Sequence, residues 1–166
     1  MPALVPEITI RRMTEPDIQR VHALDVLSFS LPWSENSFRY ELTENTNSRG
    51  WVAEVLQDGS ANLIGMLILW LILDEAHIAT LAIHPDYRRK GYARSLLISA
   101  LEAAYQEGAR HAYLEVRAGN QAAREMYEKL GFTVVGRRLH YYHDNNEDAL
   151  LMTLEEMKTA SPRLGS

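Results

Sequence analysis

A short basic segment, Arg88-Arg89-Lys90-Gly91-Tyr92-Ala93, is a candidate binding loop. It follows a predicted strand and Pro85 and opens the helix predicted over 91–107, whose first N–H groups have no intrahelical acceptor. A helix start of this kind binds anions, while basic side chains contact phosphate oxygens and Gly91 lets a ligand approach the backbone. From these residues alone, a pyrophosphate cradle and an ordinary solvated basic turn are equally consistent with the segment.

Two better-known nucleotide loops do not fit. A Walker-type loop requires Gly-Lys-Ser/Thr, which the chain lacks, and a dinucleotide fingerprint requires three spaced glycines, of which only Gly91 is present.

Glu115 and Tyr127, which follow the basic segment along the chain, carry side chains that can accept or donate a proton. Glu115 lies on the polar face of the strand predicted over 111–117. A glutamate, with a reference pKa of about 4.3, is a weak base at neutral pH unless burial raises its pKa or a water relays the proton. Tyr127, with a reference pKa of about 10, stays protonated and can donate. The alternatives are a surface carboxylate paired with Arg117 or another cation and a tyrosine that packs in the core.

The elements that position these residues are predicted from periodicity, caps and turn residues. We expect strands over about 7–12, 51–56, 62–73, 76–83, 111–117, 132–142 and 148–154, and a polar loop over 44–50. We expect helices from the Thr14 cap to about Leu27, from the Ser34 cap onward, over 91–107, and from the Asn120 cap to Gly131. The order βαα-βββ-α-β-α-ββ predicts an α+β (mixed α/β) fold, with one sheet and helices on both faces.

Composition and net charge argue against several classes of protein function. The chain has 166 residues and a formal charge of −5, which argues against a dedicated nucleic-acid binder. It contains no cysteine, which excludes a thiolate zinc site and a cysteine nucleophile.

Neither a membrane nor a metal is expected. The apolar run Leu63–Leu73 is shorter than the roughly 20 residues that cross a bilayer, and Met1–Glu7 does not read as a secretory signal, so we expect a cytoplasmic protein. His140 and His143 have no placed third ligand and are interpreted as solvent-facing.

Several motifs together resemble one family. The segment from Ile83 to Ala93 resembles the acetyl-CoA loop of the GCN5-related N-acetyltransferase (GNAT) family, whose pattern is Arg/Gln-x-x-Gly-x-Gly/Ala. Other segments resemble the ribosomal-protein-alanine N-acetyltransferase (RimI) branch of that family, namely 31–34 with Phe38, 114–120, 123–124, Tyr127, 130–132, 141–142 and 147–152. The likeness runs from about Ile8 to Leu154.

This resemblance implies one GNAT domain over 1–158, a flexible tail over 159–166, and a splayed, mixed, mostly antiparallel sheet. It implies that the pantetheine arm of acetyl-CoA, the cosubstrate, lies between the strands that end near Ile83 and Val116. The residues expected to bind the cofactor are Leu81, Ala82, Ile83, Arg88, Arg89, Lys90, Gly91, Tyr92, Ala93, Arg94, Ser95 and Asn120.

The resemblance also implies Glu115 as general base and Tyr127 as general acid in direct transfer of the acetyl group to a protein amino terminus, such as that of ribosomal protein S18. Trp33, Tyr141 and Tyr142 are candidates to hold the acceptor, although packing as strand and loop aromatics is an equal alternative. A lysine or small-amine acetyltransferase and a non-catalytic acyl-CoA sensor remain open. We expect a monomer or weak dimer.

Overall fold

The computed structural model describes residues 7–157. Its strands are β1 Ile8–Arg12, β2 Ser48–Gln57, β3 Ser60–Ile72, β4 Glu75–Ile83, β5 His111–Arg117, β6 Thr133–Arg138 and β7 Ala149–Leu154. Its helices are α1 Ile18–Ser28, α2 Glu35–Thr43, α3 Tyr92–Gln106 and α4 Gln121–Lys129, with 3-10 turns at Glu15–Asp17 and Pro85–Tyr87. Within this range no helix is both long and apolar enough to span a bilayer.

The strands form a seven-stranded sheet in the order β1-β2-β3-β4-β5-β7-β6. The pairs β1/β2, β5/β7 and β6/β7 are antiparallel, whereas β4 and β5 are parallel. The parallel register covers three residue pairs, from Glu75 opposite His111 to His77 opposite Tyr113. The prediction of an α+β fold with a mixed, mostly antiparallel sheet is therefore confirmed.

Of the described residues, 7–68 and 80–97 form one of two compact units. Its helix α2 begins where predicted, because the Ser34 hydroxyl accepts the Ser37 N–H at 3.1 Å. Helix α1 is preceded by a 3-10 turn in which Thr14 donates to the Asp17 carboxylate through both its N–H and its hydroxyl. The largest fully buried side chains of this unit are Ile18, Phe38, Ile64, Met66, Leu67, Ile68, Leu96 and Leu97.

The other compact unit comprises residues 69–79 and 98–157. Asn120 caps α4 by accepting the Ala123 N–H at 3.2 Å, and Gly131, with φ +103°, ends it in the left-handed conformation that glycine tolerates. Among the largest fully buried side chains here are Leu101, Leu130 and Phe132. Both predicted boundaries of α4 are confirmed.

Two sequence predictions are wrong. Ser48 to Gly50 belong to β2 instead of the predicted polar loop. At Gly50 the carbonyl accepts the Met13 N–H, which extends the pairing with β1 by one bond, and it also accepts a bond from the Arg12 side chain. Strand β6 ends at Arg138, so Tyr141 and Tyr142 lie in the following turn instead of in the strand predicted over 132–142. The predicted tail, 159–166, lies outside the described residues.

Candidate active site

The basic loop between β4 and α3 starts with a small capped turn. The Nδ1 atom of His84 accepts the Asp86 N–H at 3.1 Å and so caps the 3-10 turn at Pro85–Tyr87. His84 also donates its own N–H to the Ile64 carbonyl at 2.7 Å, which ties the loop to β3. The loop therefore leaves the sheet in a defined direction, with His84 as a structural residue.

The loop then enters α3 through two residues with positive φ. Arg89 has φ +62° and Gly91 has φ +82°, which is a left-handed conformation that favours glycine. A Cβ added to Gly91 would meet no atom within 4 Å. Within the protein, Gly91 is needed for its backbone conformation, and the space above it is open.

The start of α3 has the geometry of an anion site. The first helical bond runs from the Ser95 N–H to the Gly91 carbonyl at 3.1 Å, so the N–H groups of Tyr92 and Ala93 precede the first intrahelical donor and point out of the helix start. Arg88, Arg89 and Lys90 are exposed beside them. Exposed cations at a helix N-terminus suit a phosphate group.

Some predicted cofactor residues already have structural partners. The Arg88 Nε donates to the Ile83 carbonyl at 2.9 Å, and the Ser95 hydroxyl donates to the Gly91 carbonyl at 3.1 Å. Tyr92 is only 7% exposed, so its side chain anchors α3. In β4, Ala82 and Ile83 are buried and Leu81 is half-buried.

Glu115 projects from β5 as predicted. It is exposed, whereas Leu114 and Val116 on either side of it are buried. Arg117 pairs with other carboxylates, and the Tyr141 hydroxyl donates a hydrogen bond to Glu115, which is the main reason that the pKa of Tyr141 is raised. A water molecule can reach the Glu115 carboxylate.

Tyr127 is a buried residue of α4. It is 8% exposed, its ring centroid lies 5.9 Å from that of Phe132, and burial raises its pKa to about 12. Burial likewise raises the pKa of Tyr142 to about 12. The charge of Glu115 also raises the pKa of Tyr142, and Tyr142 adds to the raised pKa of Tyr127.

Tyr141 and Tyr142 belong to the segment 139–148 between β6 and β7, here called the tyrosine loop. Their rings meet edge to face with centroids 5.2 Å apart. His140 has φ +51°, and its N–H donates to the Asp148 carboxylate at 2.9 Å, which turns the chain away from the β6 direction. This contact is the physical reason that the predicted strand stops early.

The third predicted acceptor residue, Trp33, lies in the loop between α1 and α2. Its backbone N–H donates to the Asp25 carboxylate at 2.6 Å, and its ring lies 5.3 Å from Phe38. Asp25 is 1% exposed, and this burial raises its pKa. A buried carboxylate therefore fixes the backbone at Trp33.

Sequence reasoning missed Asp25, and it considered Arg117 only as a partner of Glu115. The available signal for Asp25 was its place four residues after Val21 on the apolar stripe of α1. Arg117 offered no local signal, because its partners Asp144 and Glu147 are 27 and 30 residues away. Asn120, predicted to bind the cofactor, serves the protein as the cap of α4.

Metal-binding groups do not gather in the part of the chain that the structure describes: no three His, Asp or Glu side chains lie close enough to hold an ion.

The chain combines a mixed sheet with an exposed basic loop at the start of α3, an arrangement that suits a phosphate-bearing ligand. The family model described as Acetyltransferase (GNAT) family matches residues 18–132. The chain therefore belongs to the GNAT acetyltransferase family, as its motifs indicate.

Individual relatives extend over nearly the whole chain. A Bacillus subtilis protein, provisionally named ribosomal protein bS18-alanine N-acetyltransferase, is 39% identical over 143 residues, which are 86% of this chain and 92% of that protein. The Escherichia coli ribosomal protein bS18-alanine N-acetyltransferase is 33% identical over 148 residues, or 88% and 96% of the two chains. The crystal structure of the E. coli ribosomal-protein-S18-alanine N-acetyltransferase has a TM-score of 0.80 and covers 92% of this chain and 96% of that one.

A further structural relative is the NatC complex, solved with Gag peptide and CoA, with 25% identity, a TM-score of 0.81, and coverage of 91% and 99%. These likenesses agree with the family assignment and with the expectation of an acetyltransferase.

Proposed function

We propose that this chain transfers the acetyl group of acetyl-CoA to the amino-terminal alanine of ribosomal protein bS18. The observation that carries the proposal is the 33–39% identity, over at least 86% of the chain, to proteins named for that reaction. Because the acceptor is a ribosomal protein, the reaction would take place in the cytoplasm, where the sequence predicts this chain.

The start of α3 supports the cofactor part of the proposal. The pyrophosphate of acetyl-CoA would be held by the N–H groups of Tyr92 and Ala93 and by the exposed side chains of Arg89 and Lys90. Arg88, through its bond to the Ile83 carbonyl, would contribute by shaping the loop. The pantetheine arm would bond the backbone of Leu81 to Ile83, and bound acetyl-CoA would supply the activated thioester carbonyl.

Glu115 supports the base part of the proposal. The acceptor nitrogen attacks the thioester carbon, a C–N bond forms, the C–S bond breaks, and the proton of the nitrogen must leave. We assign this proton to Glu115, through a water molecule, because the carboxylate is exposed. Tyr127 would donate a hydrogen bond to the departing sulfur, since its phenol stays protonated at neutral pH.

The acceptor part is supported by the chemistry of the amine. An α-amine has a pKa near 7.8 and a lysine near 10.4, a difference of about 2.6 units or roughly 3.5 kcal/mol in deprotonation. An exposed carboxylate, which is a weak base, therefore suits an α-amine better than a lysine, because deprotonation of the α-amine requires less free energy. Trp33, Tyr141 and Tyr142 would then hold the peptide terminus.

The test is an acetylation assay with acetyl-CoA and a peptide that carries the first residues of bS18, with product located by mass spectrometry. We expect one acetyl group on the α-nitrogen. A copy of the peptide with a blocked amino terminus and free lysines should give no product, and product from it would favour a lysine acetyltransferase instead.

Glu115→Gln separates an enzyme from a non-catalytic acyl-CoA sensor. It should lower kcat by about 10²- to 10⁴-fold, the usual contribution of a general base, with acetyl-CoA affinity by calorimetry within twofold. Glu128→Gln, a matched exposed glutamate paired with Arg124 on α4, should leave kcat within twofold. Equal activity of the wild type and Glu115→Gln would remove the assigned role.

A further inference from the structure

We propose that Arg117 is a positioning residue of the acceptor site, which holds the tyrosine loop on the end of β5 so that Tyr141 and Tyr142 stand beside Glu115. The inference rests on the proposed function and adds a residue to it. Arg117 itself contacts neither the acceptor nor acetyl-CoA in this proposal.

The guanidinium of Arg117 donates hydrogen bonds to three side chains of the tyrosine loop. Its Nη1 and Nη2 donate to the two carboxylate oxygens of Asp144 at 3.1 and 2.9 Å, and its Nη1 also donates to Glu147 at 3.3 Å. The same Nη1 donates to the side-chain oxygen of Asn145 at 3.2 Å. A bidentate pair of this kind fixes direction as well as distance.

The same guanidinium lies over the ring of Tyr142, with the Cζ atom of Arg117 3.9 Å from the ring centroid. Arg117 therefore sits between the acidic residues and the aromatic residue of one loop. A lysine could balance the acidic charges, but it has neither the planar fork nor the flat face that stacks on tyrosine.

The backbone after Arg117 secures the other side of the loop. The Gly119 N–H donates to the Glu147 carboxylate at 2.6 Å, which is the largest cause of the lowered pKa of Glu147. The Ala118 N–H donates to the Asp148 carbonyl at 3.0 Å, and within the loop the Tyr142 N–H donates to the Glu147 carbonyl at 3.1 Å. The second end of the loop is thus bound to the backbone that follows Arg117, and Tyr142 is tied to that end through Glu147.

The charges of the tyrosine loop also affect how the acceptor amine reaches Glu115. A protein amino terminus arrives largely as an ammonium ion at neutral pH. Asp144 and Glu147, if unpaired, would compete with Glu115 for that cation. Because Arg117 pairs with both carboxylates and offsets one of their two negative charges, they compete less with Glu115 for the ammonium.

The experiment compares Arg117→Gln and Arg117→Lys with a matched control, Arg110→Gln. Arg110 also lies over a tyrosine ring, at 4.0 Å from Tyr105, but it bonds backbone carbonyls away from the loop. We expect Arg117→Gln to raise KM for the bS18 peptide at least tenfold, with KM for acetyl-CoA within twofold. Arg117→Lys should fall between the wild type and Arg117→Gln, and Arg110→Gln should change neither KM by more than twofold.

Hydrogen exchange measured by mass spectrometry provides a readout that needs no acceptor. In Arg117→Gln, exchange over residues 139–148 should become at least tenfold faster, while a peptide from β7 keeps its rate. If the wild type does not acetylate the bS18 peptide, the proposed function fails and the exchange rates still decide whether Arg117 holds the loop.

Two outcomes overturn the inference. One is an unchanged hydrogen-exchange rate of the tyrosine loop in Arg117→Gln. The other is faster exchange of this loop without a change in KM for the bS18 peptide, in a variant that remains active. If Arg117→Gln does not fold, Arg117→Lys carries the test, and a wild-type acceptor KM and loop exchange rate in that variant overturn the proposal.

Discussion

Replacement of Tyr127 by phenylalanine tests the assignment of this residue most directly, because it removes one hydroxyl from a buried side chain and keeps the ring. Burial raises the pKa of Tyr127 from 10 to about 12, a change of two units that favours the phenol over the phenolate by about 2.7 kcal/mol. At pH 8 roughly one molecule in 10⁴ would carry the phenolate. Tyr127 therefore stays protonated, and able to donate a hydrogen bond, across the whole physiological range.

The same pKa limits what Tyr127 can do for the departing sulfur. A thiol with a pKa of about 8.5 is a stronger acid than this phenol by about 3.5 units, so full proton transfer from Tyr127 to the thiolate is uphill by about 4.8 kcal/mol. Donation of a hydrogen bond without full transfer avoids that cost. Loss of one donor aimed at developing charge lowers kcat by about 10²- to 10³-fold, which is the result we expect for Tyr127→Phe.

The assay measures kcat, both KM values and acetyl-CoA affinity, with Tyr113→Phe as the control. Tyr113 is half-buried on β5 and stacks on His77 at 5.0 Å, so it loses a hydroxyl in the same unit without touching the proposed chemistry. Acetyl-CoA affinity should stay within twofold in both variants, and kcat of the wild type should show no loss between pH 8 and 10 from ionisation of Tyr127. A kcat for Tyr127→Phe within twofold of the wild type would refute the reasoning.

Two further predictions concern the first unit. Gly91→Ala should destabilise the loop by about 1 kcal/mol and raise KM for acetyl-CoA several-fold with kcat nearly unchanged, because φ is +82° there; steady-state kinetics check this, and an unchanged KM would contradict the anion-site geometry. Asp25 has a folded-state pKa above its unfolded value, so its contribution to stability is present below about pH 4 and is lost as pH rises through the folded pKa. Denaturant unfolding of Asp25→Asn between pH 4 and 7 should therefore show stability rising relative to the wild type as pH rises, while a constant difference would be the contrary result.

Local patterns were sufficient to predict most elements of this fold. The helix over 91–107 and the strand over 111–117 were located from spacing alone, since an apolar stripe or an alternation needs only neighbouring residues. Caps at Ser34 and Asn120 were found for the same reason, because each acts on an N–H three residues ahead.

The tyrosine loop could not be predicted in this way. The chain from Phe132 to Tyr142 is rich in β-forming residues, and the strand nevertheless ends at Arg138, where a bond from His140 to Asp148 turns the backbone. The partner of that turn is eight residues further along the chain. Local propensity is outweighed here by contacts that only the folded chain makes.

A similar limit applies to the candidate residues for holding the acceptor. Trp33 and Tyr142 could be chosen from the sequence as aromatic candidates, but what fixes them could not: a buried carboxylate at Asp25 for the first and the guanidinium of Arg117 for the second. Asp25 and Arg117 are both ionisable side chains, and their effect on these aromatic residues depends on burial or on partners that are distant in the sequence. Residue types therefore indicated the candidate chemistry, while its positioning required the structure.

The exposure of Glu115 bears on which amines such a site can serve. At pH 7 roughly one α-amine in seven is already neutral, compared with about one lysine in 2,500. Deprotonation of the first kind of amine requires about 2.6 pKa units, or roughly 3.5 kcal/mol, less than deprotonation of the second kind, so it places a smaller demand on a weak carboxylate base. Exposure of Glu115, together with a Tyr127 that stays protonated, thus favours acceptors whose nitrogen loses its proton near neutral pH. Protein amino termini are acceptors of this kind.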